Sequence, residues 1–129
     1  MIVDTSALVA VVARERDVHR LIDELERASA SKISTVTLLE LRIVLAHDRF
    51  GAADLVDDLL HRYRIQPLEF TVEHANAAAR AYQRYGRGHH PARLNFGDCA
   101  SYATSKIAAE PLLYVGHDFA QTDVDSALR

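Results

Sequence analysis

A chain of 129 residues, 49% of them hydrophobic, is sized for a single compact domain spanning 1–129, and its mixed charge excludes extended disorder. The formal net charge of −3 argues against binding nucleic acid through phosphate contacts alone, but not against an enzyme whose acids hold cations. The single cysteine, Cys99, excludes an internal disulfide framework and a thiolate zinc site, and suits a reducing cytosol.

In chain order, Ile2-Val3 reads as a short buried strand. Ser6 to about Arg14 then reads as a helix capped by Thr5 or Ser6. The apolar run Ala7–Ala13 falls far short of the roughly 20 residues that span a bilayer, and Asp4 interrupts the start of the chain, so neither a signal peptide nor a membrane span is expected. Val18, Leu21, Ile22 and Leu25 recur at helical spacing. Lys32-Ile33-Ser34 is a second strand. Leu38–His47 and Ala52–Arg64 are two helices joined around Gly51. Ile65–Phe70, with Pro67, is a short extended segment, and Thr71–Tyr85 is an alanine-rich helix. Gly86–Arg93 is a loop, Asn95–Ala108 a helix, Leu112–Val115 a strand ended by Gly116, and Asp123–Leu128 a last edge strand. Strands alternating with helices predict an α/β fold with a parallel sheet covered on both faces.

In such sheets ligands sit outside the carboxyl ends of the strands. Asp4 follows the first strand directly, and Asp118 follows the last after one turn. Glu40 shares a helical stripe with Val36, Ile43 and Val44, where an acid is costly to bury without a partner. Asp98 lies in the first turn of its helix, with Asn95 three residues earlier. Each acid also has a plain structural reading. Asp98 is then a helix cap, Glu40 a partner of Arg42 or Arg14, and Asp118 a turn residue after Gly116. Together, four carboxylates in one place stay ionised only with cations, and oxygen ligands suit magnesium or manganese. Cys99 reads as a small core residue.

The segments Met1–Leu8, Ser34–Leu41, Leu94–Cys99 and Leu112–Val124, in this order and spacing, resemble PIN-domain ribonucleases, most closely the VapC-type toxins of type II toxin–antitoxin pairs. The resemblance runs from residue 1 to about 125. It implies that Asp4 and Asp98 are the principal magnesium ligands. Glu40 would complete the shell directly or through water, and Asp118 would be the fourth acid with Asp123 close by. Thr5 or Ser6, and Asn95, would hydrogen-bond the carboxylates or ordered waters. His117 stands where the family has Asn or Asp, and neither metal nor substrate contact is expected of it.

The same resemblance implies a PIN-like sheet of four or five parallel strands flanked by about six or seven helices, homodimers, and a cytoplasmic enzyme. That enzyme would cut single-stranded RNA (tRNA, rRNA or mRNA) by metal-activated water. It also implies a cognate antitoxin that lays a helix in an apolar groove. Leu38, Leu41, Leu45, Leu55 and Leu59 would line that groove or, on the plainer reading, form the core.

Residues 74–97 hold no Asp or Glu but do hold Arg80, Arg84, Arg87, His89, His90 and Arg93, with Tyr82 and Tyr85 interleaved. Arg87 and Arg93 are the candidate RNA contacts beside Asp98. The rival readings are a DNA-cleaving metal nuclease, a non-catalytic RNA-binding or interaction module, and a phosphoacceptor or phosphatase domain. The last would want a second acid at the first strand and a lysine near a late strand. Only Asp4 lies at the first strand, and Lys32 and Lys106 are the only lysines.

Overall fold

A computed structural model describes residues 1–46 and 54–128. Four short parallel strands form its sheet: β1 (Ile2–Val3), β2 (Ser31–Ser34), β3 (Ile65–Leu68) and β4 (Leu112–Leu113). Their spatial order is β3-β2-β1-β4. The chain therefore starts at an inner strand, adds β2 and β3 on one side, then crosses to place β4 on the other. The order reverses between β1 and β4, and a crevice opens at the carboxyl edge of such a reversal.

The helices are α1 (Thr5–Ala13), α2 (Val18–Arg27), α3 (Thr35–Ala46), α4 (Asp54–Arg62), α5 (Val72–Tyr85) and α6 (Phe96–Ala108), with a 3₁₀ turn at Phe119–Gln121. The strand period of two decides which helices cover which face. Ile2 pairs in register with Leu112, and both join a core with Ala81, Tyr85 and Tyr102 of α5 and α6. Val3 pairs with Leu113, and both join the opposite core with Leu8, Leu21, Leu25, Leu41 and Leu59 of α1 to α4. The sheet is thus buried on both faces, as continuous apolar strands require. Pro67 is tolerated because β3 is an edge strand.

Three expectations need correction. First, α3 begins at Thr35, directly after β2, because the Ser34 hydroxyl accepts the Val36 N–H at 3.2 Å and caps the turn. The β-branched run Thr35-Val36-Thr37 reads as strand-like, yet this local cap wins. Second, the buried stripe of α3 is Thr37, Leu41 and Leu45, whereas Ile43 is 53% and Val44 36% exposed. The stripe of Val36, Ile43 and Val44 is not the core face, and Glu40 sits half-buried at its margin. Leu41, Leu45 and Leu59 are core residues and Leu38 and Leu55 pack against them, so the plainer reading of those leucines holds. Third, the tail makes one bridge, Leu112 to Ser126, rather than a strand. Ser126 bends the chain there, its hydroxyl bonding both the N–H and the carbonyl of Leu128. The expected junction at Gly51, with the helix ends at His47 and Ala52, lies outside the described residues.

The register of α3 gives a direct contrast. Leu41→Ala should cost about 2–5 kcal/mol, lowering the melting temperature by roughly 10 °C. Ile43→Ala should stay within ~0.5 kcal/mol of the wild type. Thermal melts of the two variants check it.

Candidate functional site

Asp4 leaves β1 in extended conformation and caps α1, only 4% exposed. Its Oδ2 accepts the Ser6 N–H at 3.1 Å and the Ser6 hydroxyl at 2.7 Å. Its Oδ1 accepts the Ser101 hydroxyl of α6 at 2.5 Å. The cap expected at Thr5 or Ser6 thus falls one residue earlier, and Ser6 is its donor. Ser6 in turn accepts the Val115 N–H at 3.0 Å, tying the segment after β1 to the segment after β4.

The Thr5 hydroxyl donates to Glu40 Oε1 at 2.5 Å, joining α1 to α3. Burial pushes the Glu40 carboxyl above its ordinary range and the Asp4 charge adds to that, against the Thr5 hydrogen bond. Arg42 is not its partner, for it pairs with Asp57 at 2.8 Å. Asp98 forms a capping box with Asn95: the Asn95 N–H donates to Asp98 Oδ2 at 3.0 Å, and the Asp98 N–H to Asn95 Oδ1 at 2.9 Å. Its carboxyl is nevertheless pushed up to about 6. Burial is the largest cause, and the charges of Asp4, Asp118 and Glu40 add to it. A cap alone would lower this value. The repulsion brings the four acids into one electrostatic neighbourhood.

Asp118 is exposed at the head of the 3₁₀ turn, and its side chain makes no capping bond there. Gly116 holds φ +111 in the turn before it, a conformation that favours glycine. Asp123 takes other partners. It accepts the Tyr102 hydroxyl at 2.6 Å and pairs with Lys106 at 3.3 Å and Arg84 at 3.7 Å, which together hold its carboxyl below the usual range. Cys99 is buried and its thiol is pushed up to about 11, chiefly by burial, so it offers no thiolate nucleophile.

Gly97 leaves room for the Glu40 carboxylate beside the first turn of α6. A Cβ there would overlap the Glu40 carboxylate, so only glycine lets that group rest against the first turn of α6.

A family model described as PIN domain matches residues 1–125. The chain belongs to the PIN-domain family. Among its relatives is the ribonuclease VapC42 of Mycobacterium tuberculosis, 46% identical over 129 residues and covering 98% of each chain. The crystal structure of Mycobacterium tuberculosis VapC20, a sarcin–ricin-loop-cleaving toxin, shares the fold with TM-score 0.76 at 16% identity, covering 95% of both chains. A toxin–antitoxin complex from Klebsiella pneumoniae gives TM-score 0.68 at 17% identity, covering 95% of this chain and 92% of that one.

Within this PIN domain His117 is exposed on the turn before Asp118. The basic segment 80–93 runs from the end of α5 into the loop that precedes α6. Arg87 and Arg93 are exposed on a loop whose base is closed by the bridge between Gly86 and Leu94, just before Asn95. His89 and His90 pack edge-on against Tyr82 and Tyr85. Arg84 stacks on Tyr85 at 4.7 Å as well as meeting Asp123.

Sequence reasoning passed over Gly97, Ser101 and Thr37. The signal was present as a row of small residues, Gly97, Ser101 and Ser105, four apart on one face of α6, where an apolar helix normally carries bulk.

Two predictions follow from the geometry. Between about pH 3.8 and about 6 the folded protein keeps the Asp98 proton that the unfolded chain has released, so metal-free stability falls as pH rises through that window. Asp98→Asn should therefore raise metal-free stability by ~1–2 kcal/mol at pH 7.5, after allowance for solvent screening, and change it little at pH 4. Denaturant melts at both pH values read the difference. Gly97→Ala, which elsewhere in a helix gains up to ~1 kcal/mol, should instead displace Glu40 and lower activity by ~10–100-fold. In a Glu40→Ala background the same change should become neutral or stabilising, a coupling that a double-mutant cycle measures.

Proposed function

We propose that the protein is a magnesium- or manganese-dependent endoribonuclease that cuts single-stranded RNA, acting as the toxin of a toxin–antitoxin pair in the cytoplasm. What supports this reading is that the charges of Asp4, Asp118 and Glu40, from three other chain segments, each add to the burial that pushes the Asp98 carboxyl up to about 6. The ribonuclease relatives supply the reaction class.

The donor set fits a hard divalent ion. It is all oxygen, with no thiolate or imidazole among the four acids. Among the described residues no three His, Cys, Asp or Glu side chains stand ready to share one ion directly. Magnesium keeps several waters and takes one or two carboxylates directly, so on this reading the ion would not need three protein ligands. Asp4 and Asp98 would hold the ion directly, with Glu40 and Asp118 acting through water. When bound, such an ion supplies an activated water and neutralises charge on a phosphodiester. The chain's own residues do the rest. Ser6, Ser101 and Thr5 orient carboxylates, the Asn95 box fixes Asp98 at the head of α6, and Arg87 and Arg93 would hold flanking phosphates. Asp123, bound to Tyr102, would brace the tail rather than touch the ion.

An antitoxin and a second copy of the chain are the proposed protein partners. Support comes from the Klebsiella pneumoniae complex and from exposed apolar side chains of the kind partners cover, Leu39 at 59%, Val72 at 77% and Phe96 at 82%. Among the described residues no helix is long and apolar enough to cross a membrane.

Asp4→Asn should remove cleavage of a single-stranded RNA pool by more than the roughly 10–100-fold typical of losing an outer-sphere partner, while the fold persists. Magnesium at a hundred times its dissociation constant should raise the stability of the wild type by about 2.7 kcal/mol. Chelator should abolish cleavage and return the melt to its metal-free value. Undiminished cleavage in chelator would refute metal dependence.

A further inference from the structure

Ser101 and Thr37 are both 0% exposed, on α6 and α3, and their hydroxyls lie 3.1 Å apart. Ser101 spends its one proton on Asp4 Oδ1 at 2.5 Å. The proton between the two hydroxyls must then come from Thr37, which makes a directed chain: Thr37 donates to Ser101, and Ser101 donates to Asp4. Helical serines and threonines commonly donate to the carbonyl four residues back. Thr104, one turn on, does so, bonding the Ala100 carbonyl at 2.8 Å. Ser101 instead reaches across to another element.

The count of lone pairs shows what this does. A carboxylate offers about four acceptor sites. Ser6 takes two on Oδ2, through its N–H and its hydroxyl, and Ser101 takes one on Oδ1. Among the described residues no other donor reaches Asp4, which leaves one site on Oδ1. We propose that Ser101, held by Thr37, is a positioning residue that selects which single lone pair of Asp4 is left for a divalent cation. The proposal rests on Asp4 being a metal ligand. Hydroxyl donors suit the task because they orient the carboxylate without cancelling its charge. A chain of two also fixes the Ser101 rotor, which alone could turn to other acceptors.

The test is manganese binding to the full chain, measured by calorimetry, with metal-free melts alongside. Ser101→Ala should weaken manganese binding by ~10–100-fold. Thr37→Val keeps the shape and removes the hydroxyl, and it should weaken binding in the same direction with a near-native melt. Thr37→Ser keeps the hydroxyl and removes a methyl, and it should bind manganese like the wild type even if its melt drops. Tighter binding by Thr37→Val than by Thr37→Ser would show that packing, not the hydroxyl chain, matters, and would overturn the proposal. So would native affinity in Ser101→Ala. If Ser101→Ala fails to fold, the Thr37 pair decides. Wild-type protein that takes up no manganese at millimolar concentration would overturn the metal reading and this proposal together, an outcome distinct from loss of the variant effect alone.

Discussion

Carboxylates that share a crevice raise one another's affinity for protons, and the rest of this structure is arranged around that cost. Asp98 is pushed up to about 6, first by burial and then by the charges of Asp4, Asp118 and Glu40, although its helix N-terminus and the Asn95 N–H both favour the charged form. Glu40 is raised as well, by burial and by Asp4. A fold seeking only stability would separate these groups or give each a basic partner. The ion pairs seen among the described residues go elsewhere, to Glu24, Glu26, Asp57, Glu110 and Asp123.

The sheet order makes the convergence possible. Asp4 and Asp118 follow β1 and β4, adjacent parallel strands at which the order of strand addition reverses. Glu40 and Asp98 are brought to the same edge by α3 and α6, which pack on one another and on the strands. The Cβ that Gly97 lacks leaves the Glu40 carboxylate room beside the first turn of α6. Strand edge, helix face and helix N-terminus each contribute one rigid anchor, so the acids are held by secondary structure rather than by mobile loops. Asp118 is the exception, exposed on a glycine-bearing turn.

The parts of this design that were legible in the sequence are those written locally. Asp4 at the end of an apolar strand, the Asn95–Asp98 spacing of a capping box, and the parallel alternation of strands with helices need only nearby residues to be read. Glu40 was found for a partly mistaken reason. The stripe is apolar, but Ile43 and Val44 are exposed and Val36 only half-buried, because Thr37, Leu41 and Leu45 face the core instead. Two apolar stripes on one helix cannot be ranked without knowing what packs against them. Asp123 was misjudged in the same way, since Tyr102, Lys106 and Arg84 are distant in sequence and adjacent only in the fold. Ser101 was silent because a buried serine resembles any small helix residue until Asp4, ninety-seven positions away, is found against it.

Why hydroxyls and backbone N–H groups surround Asp4, rather than an arginine or lysine, follows from the same electrostatics. A guanidinium beside Asp4 would hold the carboxylate in place and stabilise the metal-free fold. It would also supply the positive charge that the site otherwise draws from solution, and so compete with a cation for the same oxygens. A hydroxyl donates one proton, fixes direction, and leaves the full negative charge in the crevice. Ser6 and Ser101 do this for Asp4, and Thr5 does it for Glu40. The hydroxyl-rich faces of α1, α3 and α6 are therefore what allow Asp4 to be buried and held in one orientation by neutral donors.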